Sequence, residues 1–145
     1  MSAGIAVRAY RVGDEESVVA LWAEVFGYEQ PRNDPLLDVR RKRDAQPEFF
    51  LLAEEAGRVV GTVMGGYDGH RGWAHRLAVA PAQRRRGIGE ALMRRLEAEL
   101  DAAGCPKLNL QVRSDNGDVV AFYRRIGYAV EDRVSLGKEL PGAPK

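Results

Sequence analysis

The stretch Leu77-Ala78-Val79-Ala80-Pro81-Ala82-Gln83-Arg84-Arg85-Arg86-Gly87-Ile88-Gly89 sets an apolar strand pattern, a proline stop, three arginines and two glycines directly ahead of a helical repeat. Residue types in this order make an anion site. The first backbone N–H groups of a helix lack internal partners and carry the positive end of its dipole, so they face any negative group held there. Gly87 and Gly89 lack Cβ atoms and let the main chain come close. Arg84, Arg85 and Arg86 put positive charge where it opposes the dipole unless an anion joins it. Two familiar phosphate sites do not fit. A Walker-type loop requires Lys and then Ser or Thr after its second glycine, and Gly89 is followed by Glu90 and Ala91. A dinucleotide fingerprint requires a third small residue and an acidic residue ending the next strand; the chain has Leu92 and then Gln111-Val112-Arg113.

Other reactive side chains are few. One cysteine, Cys105, excludes an internal disulfide, and between Gly104 and Pro106 at a strand entry it reads as a small buried side chain rather than a nucleophile. With only His70 and His75 as imidazoles, no metal-ligand spacing is present, and no metal is expected. Lys and Arg total 22 against 21 Asp and Glu, a net charge of +1, so an extended basic face for nucleic acid is excluded. Four of the 22 are Lys and 18 are Arg, and five Arg against one Glu fall between Arg84 and Arg95, which concentrates positive charge locally. No apolar run is long enough for a bilayer. The start, Met-Ser-Ala-Gly-Ile-Ala, lacks the basic head and apolar run of a secretion signal, so a cytoplasmic protein without a membrane partner is expected.

The elements that must position these residues follow from periodicity. Ile5 to Tyr10 alternates as a strand. Asp14 then precedes Glu15, Glu16 and the stripe Val18, Leu21, Trp22 and Val25, which reads as a helix capped by Asp14 and ended by Gly27. Asn33-Asp34-Pro35 starts a second helix running to about Ala45. Phe49 to Glu54 and Arg58 to Tyr67 are strands of a hairpin turning at Glu55-Ala56-Gly57. Trp73 to Ala80 is a further strand after the loop Asp68 to Gly72. Ile88, Ala91, Leu92, Leu96, Leu100 and Ala103 form one face of a long helix. Lys107 to Val112 is a strand, and Ser114 or Asp115 caps a helix bearing Val119, Phe122, Tyr123 and Ile126. Tyr128 to Val130 and Val134 to Leu136 read as closing strands. The order β-α-α-β-β-β-α-β-α-β(-β) implies an α/β fold, a mixed central sheet of six to seven strands flanked by about four helices. Residues 1–145 form one domain, with a frayed tail over 141–145.

The hexapeptide Arg84-Arg85-Arg86-Gly87-Ile88-Gly89 follows the pattern Gln or Arg, two residues, Gly, one residue, Gly or Ala. Asn116, then Phe122-Tyr123-Arg124-Arg125-Ile126-Gly127-Tyr128, supplies a second signature. With these, the sequence resembles the GNAT superfamily of acyl-CoA-dependent N-acetyltransferases over about Ile5 to Glu139. Asn33-Asp34-Pro35 and the run Gly65 to Gly72 are similar to a small bacterial YpeA-like subgroup. The resemblance implies the GNAT fold and acetyl-CoA as co-substrate. It implies pyrophosphate contacts from Arg84, Arg85, Arg86, Gly87, Ile88 and Gly89, and pantetheine contacts with the main chain of Leu77, Ala78 and Val79. It also implies an oxyanion donor at the Val79 N–H and a general acid at Tyr123. His75 occupies a position where some members hold a base; Glu54, Asp68 and His70 compete with it. Asn116 either contacts the cofactor or caps its helix. The acceptor implied is a primary amine of a small molecule or a peptide. Asp34, Asp38 and Asp68 stand as partners for a cation, and Arg32, Arg40, Arg41 and Arg71 as partners for an anion. An Asp38–Lys42 pair at i,i+4 competes with such a role. A homodimer fits the commonest soluble assembly. The alternative is a non-catalytic acyl-CoA-binding regulatory module on the same fold.

Overall fold

The computed structural model describes residues 4–27 and 29–142. The frayed tail expected over 141–145 therefore lies, for residues 143–145, outside the described residues. The chain forms two compact units, Met1–Leu110 and Gln111–Lys145.

The first unit is a sheet with helices on both faces. Its elements are β1 Ile5–Ala9, α1 Glu15–Phe26, α2 Pro35–Arg43, β2 Phe50–Glu55, β3 Arg58–Tyr67, β4 Gly72–Val79, α3 Ile88–Ala102 and β5 Leu108–Leu110. The strands lie in the order β1-β2-β3-β4-β5; the first four pair antiparallel and β5 runs parallel to β4. The parallel pair comes from the α3 crossover, since only a long connection returns a chain in the same direction. The hairpin between β2 and β3 turns on Ala56 and Gly57, both left-handed at φ 50° and 79°, the geometry of a two-residue turn matched to strand twist.

Alternation along β2 and β3 sorts side chains to two cores. Phe50, Leu52 and Ala78 pack with Val18, Leu21 and Trp22 of α1 and Val39 of α2. Gly61 and Gly65 of β3 face α3 instead: a Cβ at Gly61 would stand 3.0 Å from Leu92 and 3.1 Å from Ile88, and one at Gly65 would collide with Leu96. Leu92 and Leu96 are one helical turn apart, so a ridge of α3 rests on β3 where Gly61 and Gly65 flank the buried Val63. Phe50 to Ala53 are all buried because both faces of the sheet are covered.

The second unit holds α4, Gly117–Arg125. Neither Ser114 nor Asp115 caps it; the Asn116 side chain does, accepting from the Val119 N–H at 3.4 Å. The expected strands at Tyr128–Val130 and Val134–Leu136 do not form, so the described residues hold five strands rather than six or seven. The apolar side chains that suggested them are open to water, Val134 at 86% and Leu136 at 91% exposure, and no ladder takes up their backbone groups. Alternation without a pairing partner does not make a strand.

Gly65→Ala overfills the α3 contact and is expected to destabilise the protein by about 1–3 kcal/mol in urea unfolding, whereas Gly137→Ala, which meets nothing, leaves stability unchanged.

Candidate functional site

Three parts of the fold carry groups that can do chemistry. The first is the end of β4. Opposite Thr62 to Met64 of β3, β4 places one extra residue between Ala78 and His75, a bulge in which Arg76 takes a left-handed φ of 57°. The buried Thr62 hydroxyl fills the break, donating to the Arg76 carbonyl at 2.9 Å and accepting from the Trp22 indole at 2.8 Å. The Arg76 side chain, only 7% exposed, donates to Glu29 at 2.6 Å, to Asp38 at 2.7 Å and to the Asn33 carbonyl at 2.6 Å. It also lies 4.5 Å over the Trp22 ring. Sequence reasoning missed this hub, although a charged residue inside a strand pattern flanked by apolar residues was the available signal.

Beyond the bulge, β4 has one free edge. Its parallel ladder with β5 covers only Gly72–Ala74. The Ala80 N–H bonds the Val60 carbonyl toward β3, and alternate residues turn to opposite edges, so Val79 presents its N–H to the edge that β5 leaves. Leu77 and Val79 are half-buried and Ala78 is buried.

The second part is the loop into α3. Pro81–Gln83 makes a single 3-10 turn, Arg84 is extended, and Arg85 and Gly87 are both left-handed at φ 65° and 77°. A non-glycine residue held there stores roughly 1–2 kcal/mol of strain. No side chain caps α3, in contrast to α2, capped by Asp34, and α4, capped by Asn116. The N–H groups of Ile88, Gly89 and Glu90 belong to the first turn and have no carbonyl within the helix to bond. Arg86 holds the loop to the β2–β3 turn through Glu55 at 2.5 Å, and Arg84 returns to the Val79 carbonyl at 3.3 Å. Arg85 is exposed.

The third part is a cavity of about 260 Å³ between β3, β4 and α2, lined by Lys42, Gln46, Met64, Trp73, His75 and Asp68 with the backbone of Gly65–Tyr67. Gln46 pins its rim, donating to the Tyr67 carbonyl at 2.7 Å and accepting from the Tyr67 N–H at 2.8 Å. His75 lines the cavity but is itself exposed; partial desolvation by its neighbours draws the imidazole below its ordinary value, Asp38 opposes this, and Lys42 and Arg76 add to it. The shift favours the neutral form of His75, the form that can take a proton. The competing bases are engaged. Glu54 accepts from Arg8 at 2.6 Å, and Asp68 accepts from the backbone N–H groups of His70 and Arg71, which holds its carboxyl below the usual range. His70 lies outside the cavity lining, whereas His75 is part of it.

In the second unit Tyr123 is buried, edge-on to Phe122 and Tyr128. Burial pushes its phenol up to about 12, and among the described residues nothing bonds its hydroxyl.

Several local expectations give way to tertiary partners. Asp38 pairs with Arg76 and Arg41 rather than Lys42, whose ammonium bonds the Gly65 carbonyl. Asp34 caps α2, and Arg40 pairs with Glu15. Asp14 stands at the head of α1, but its carboxylate binds Arg8 and the Arg11 N–H instead of the helix. Cys105 is half-buried, its thiol directed at the Lys107 carbonyl. Among the described residues no cluster suited to a metal exists, and no helix is long and apolar enough to cross a membrane.

This bulged strand, open strand edge and uncapped helix head belong to a known class. Residues 16–128 match the acetyltransferase (GNAT) family. An acetyltransferase of Sodalis glossinidius is 50% identical over 135 residues, covering 92% of this chain and 94% of that protein. Ard1 from Thermoplasma volcanium, 28% identical, superposes with a TM-score of 0.75 over 89% of this chain and 85% of its own. The aminoglycoside N-acetyltransferase AAC(6′)-Iy, solved in complex with CoA, shares the fold at 15% identity, with a TM-score of 0.80 over 96% of this chain and 97% of its own. The chain belongs to the GNAT family and is an acetyltransferase.

Arg76→Met leaves Glu29 and Asp38 without their shared cation and is expected to cost about 3 kcal/mol in urea unfolding, well beyond the effect of removing an exposed pair such as Arg95–Glu99.

Proposed function

We propose that this protein transfers the acetyl group of acetyl-CoA directly to a primary amine, of a small molecule or a peptide. The observation that carries the reading is the head of α3: an uncapped helix start behind a loop with two left-handed residues, set against the free edge of β4. A helix head without a capping side chain suits a pyrophosphate, and an unpaired strand edge suits the amide groups of a pantetheine arm. AAC(6′)-Iy, of the same fold, was solved holding CoA.

In this reading the backbone from Arg84 to Gly89 holds the pyrophosphate, with Arg84 and Arg85 adding charge at the rim. The edge of Leu77, Ala78 and Val79 aligns the arm. The Val79 N–H donates to the oxygen that gains negative charge as the amine nitrogen attacks the thioester carbonyl. His75 takes the proton that the amine loses, and the carbon–sulfur bond breaks. Tyr123 donates its phenolic proton to the departing thiolate sulfur. The free amide of Asn116 is left for a cofactor contact, since its carbonyl oxygen already caps α4. Because its pKa lies far above neutrality, Tyr123 stays protonated until that step, and reprotonation from water resets it.

Tyr123→Phe is expected to lower kcat about 100-fold while acetyl-CoA affinity, read by calorimetry, stays within about threefold. An equal loss in both would assign Tyr123 to binding. The lowered pKa of His75 means its basic form dominates from below pH 6.5 upward, so kcat/KM should rise with pH along a limb centred below that value and level off by neutrality; His75→Gln should abolish the limb. Gly87→Ala turns a left-handed position into a strained one and is expected to weaken acetyl-CoA binding about 5- to 30-fold. No acetyl-CoA binding at millimolar concentration would refute the proposal. Tight binding with no acetylated amine in a broad panel would make the protein a binding module instead.

A further inference from the structure

The cavity beside His75 contains a charge that the chemistry above does not use. Lys42, in the last turn of α2, reaches down into it and donates to the Gly65 carbonyl, and among the described residues no carboxylate forms an ion pair with it. The carboxylates that its own element could offer are committed elsewhere. Asp38 holds Arg76 and Arg41, Asp34 caps the helix, and Asp44 lies beside Arg43. Glu48 acts on Lys42 only from a distance. The ammonium is half-buried, and burial draws it below its ordinary value. A sheltered cation costs free energy unless an anion meets it, and a lysine offers three donors of which the Gly65 carbonyl takes one.

The rest of the lining limits what that anion can be. Asp68 is the carboxylate of the wall, its charge satisfied in part by the N–H groups of His70 and Arg71 and by the indole of Trp73. The cavity thus presents the Lys42 cation, the Asp68 anion and the His75 imidazole, walled by Met64 and Trp73. A polyamine would need a second carboxylate in place of Lys42, and a phosphate would call for a second cation. A molecule with one amine and one carboxylate matches the charges present.

Resting on acetyl transfer as the activity, we propose that the acceptor is a free amino acid whose carboxylate is bound by Lys42 while its amine faces His75. Lys42 is then the residue that selects the acceptor.

The test uses the full chain, with free CoA release as readout, on matched acceptors that differ only in the carboxylate: glycine, β-alanine and lysine against glycinamide, β-alaninamide and cadaverine. Carboxylate-bearing acceptors are expected to exceed their partners in kcat/KM by about 30-fold, the scale of one charge-assisted hydrogen bond. In Lys42→Met that preference should shrink to about threefold or less through a higher acceptor KM, with the KM for acetyl-CoA unchanged, and Lys42→Arg should restore part of it. A second measurement does not depend on turnover. The N-acetyl derivatives of the same amino acids should bind the wild-type protein in calorimetry and fail to bind Lys42→Met, whose fold is checked by circular dichroism. Equal rates for acids and amides, or product binding indifferent to Lys42, would overturn the assignment and leave Lys42 as a strut for the Gly65 carbonyl. Those results would leave acetyl transfer standing, whereas absence of acetyl-CoA binding would remove both.

Discussion

One guanidinium, that of Arg76, ties β4 to α2 and to the α1–α2 connection. A cation this sheltered is tolerable only when its charge and its donors are met, and Glu29, Asp38 and the Asn33 carbonyl come from the α1–α2 connection and from α2 to meet them. The left-handed backbone at the same residue makes the bulge in β4, and Thr62 secures the bulge from β3. Beyond it β4 continues as the open edge that ends at Val79, while α2 is drawn down until Lys42 reaches the carbonyl of Gly65. The bulge of β4 and the seat of α2 thus meet at one neutralised charge.

What could be read in advance was what neighbours in sequence decide. The turn at Ala56-Gly57, the long face of α3 and the glycine-bounded loop before it depend on residues within a few positions of each other, and all are found. The hub at Arg76 depends on partners 38 to 47 positions away, so the run Trp73 to Ala80 looked like an ordinary strand. The same competition moved Asp38 from Lys42 to Arg76 and Asp14 from its helix to Arg8: a local pairing rule worth a few tenths of a kcal/mol loses to a sheltered guanidinium. The closing strands failed for the opposite reason. Val134 and Leu136 alternate as a strand should, but period-two alternation records a preference and not a partner.

The titratable groups share one cause for their shifts. Loss of water lowers His75 and Lys42 and raises Tyr123, each toward its uncharged form. The same shifts keep His75 and Lys42 toward their unprotonated forms and Tyr123 toward its protonated one. The head of α3 works by the reverse principle, with exposed arginines and unsatisfied N–H groups that act through charge.

The two glycines of β3 have an evolutionary side. Gly61 and Gly65 let Leu92 and Leu96 rest against bare backbone, so the seat of α3 is fixed by atoms that are missing. A seat of that kind cannot be adjusted gradually: the smallest possible enlargement at either glycine already pushes on the helix, and with it the N–H groups at its head. Drift in this lineage should therefore accumulate in the side chains that wall the cavity. The two glycines, remote from any chemistry, should be among the last positions to change.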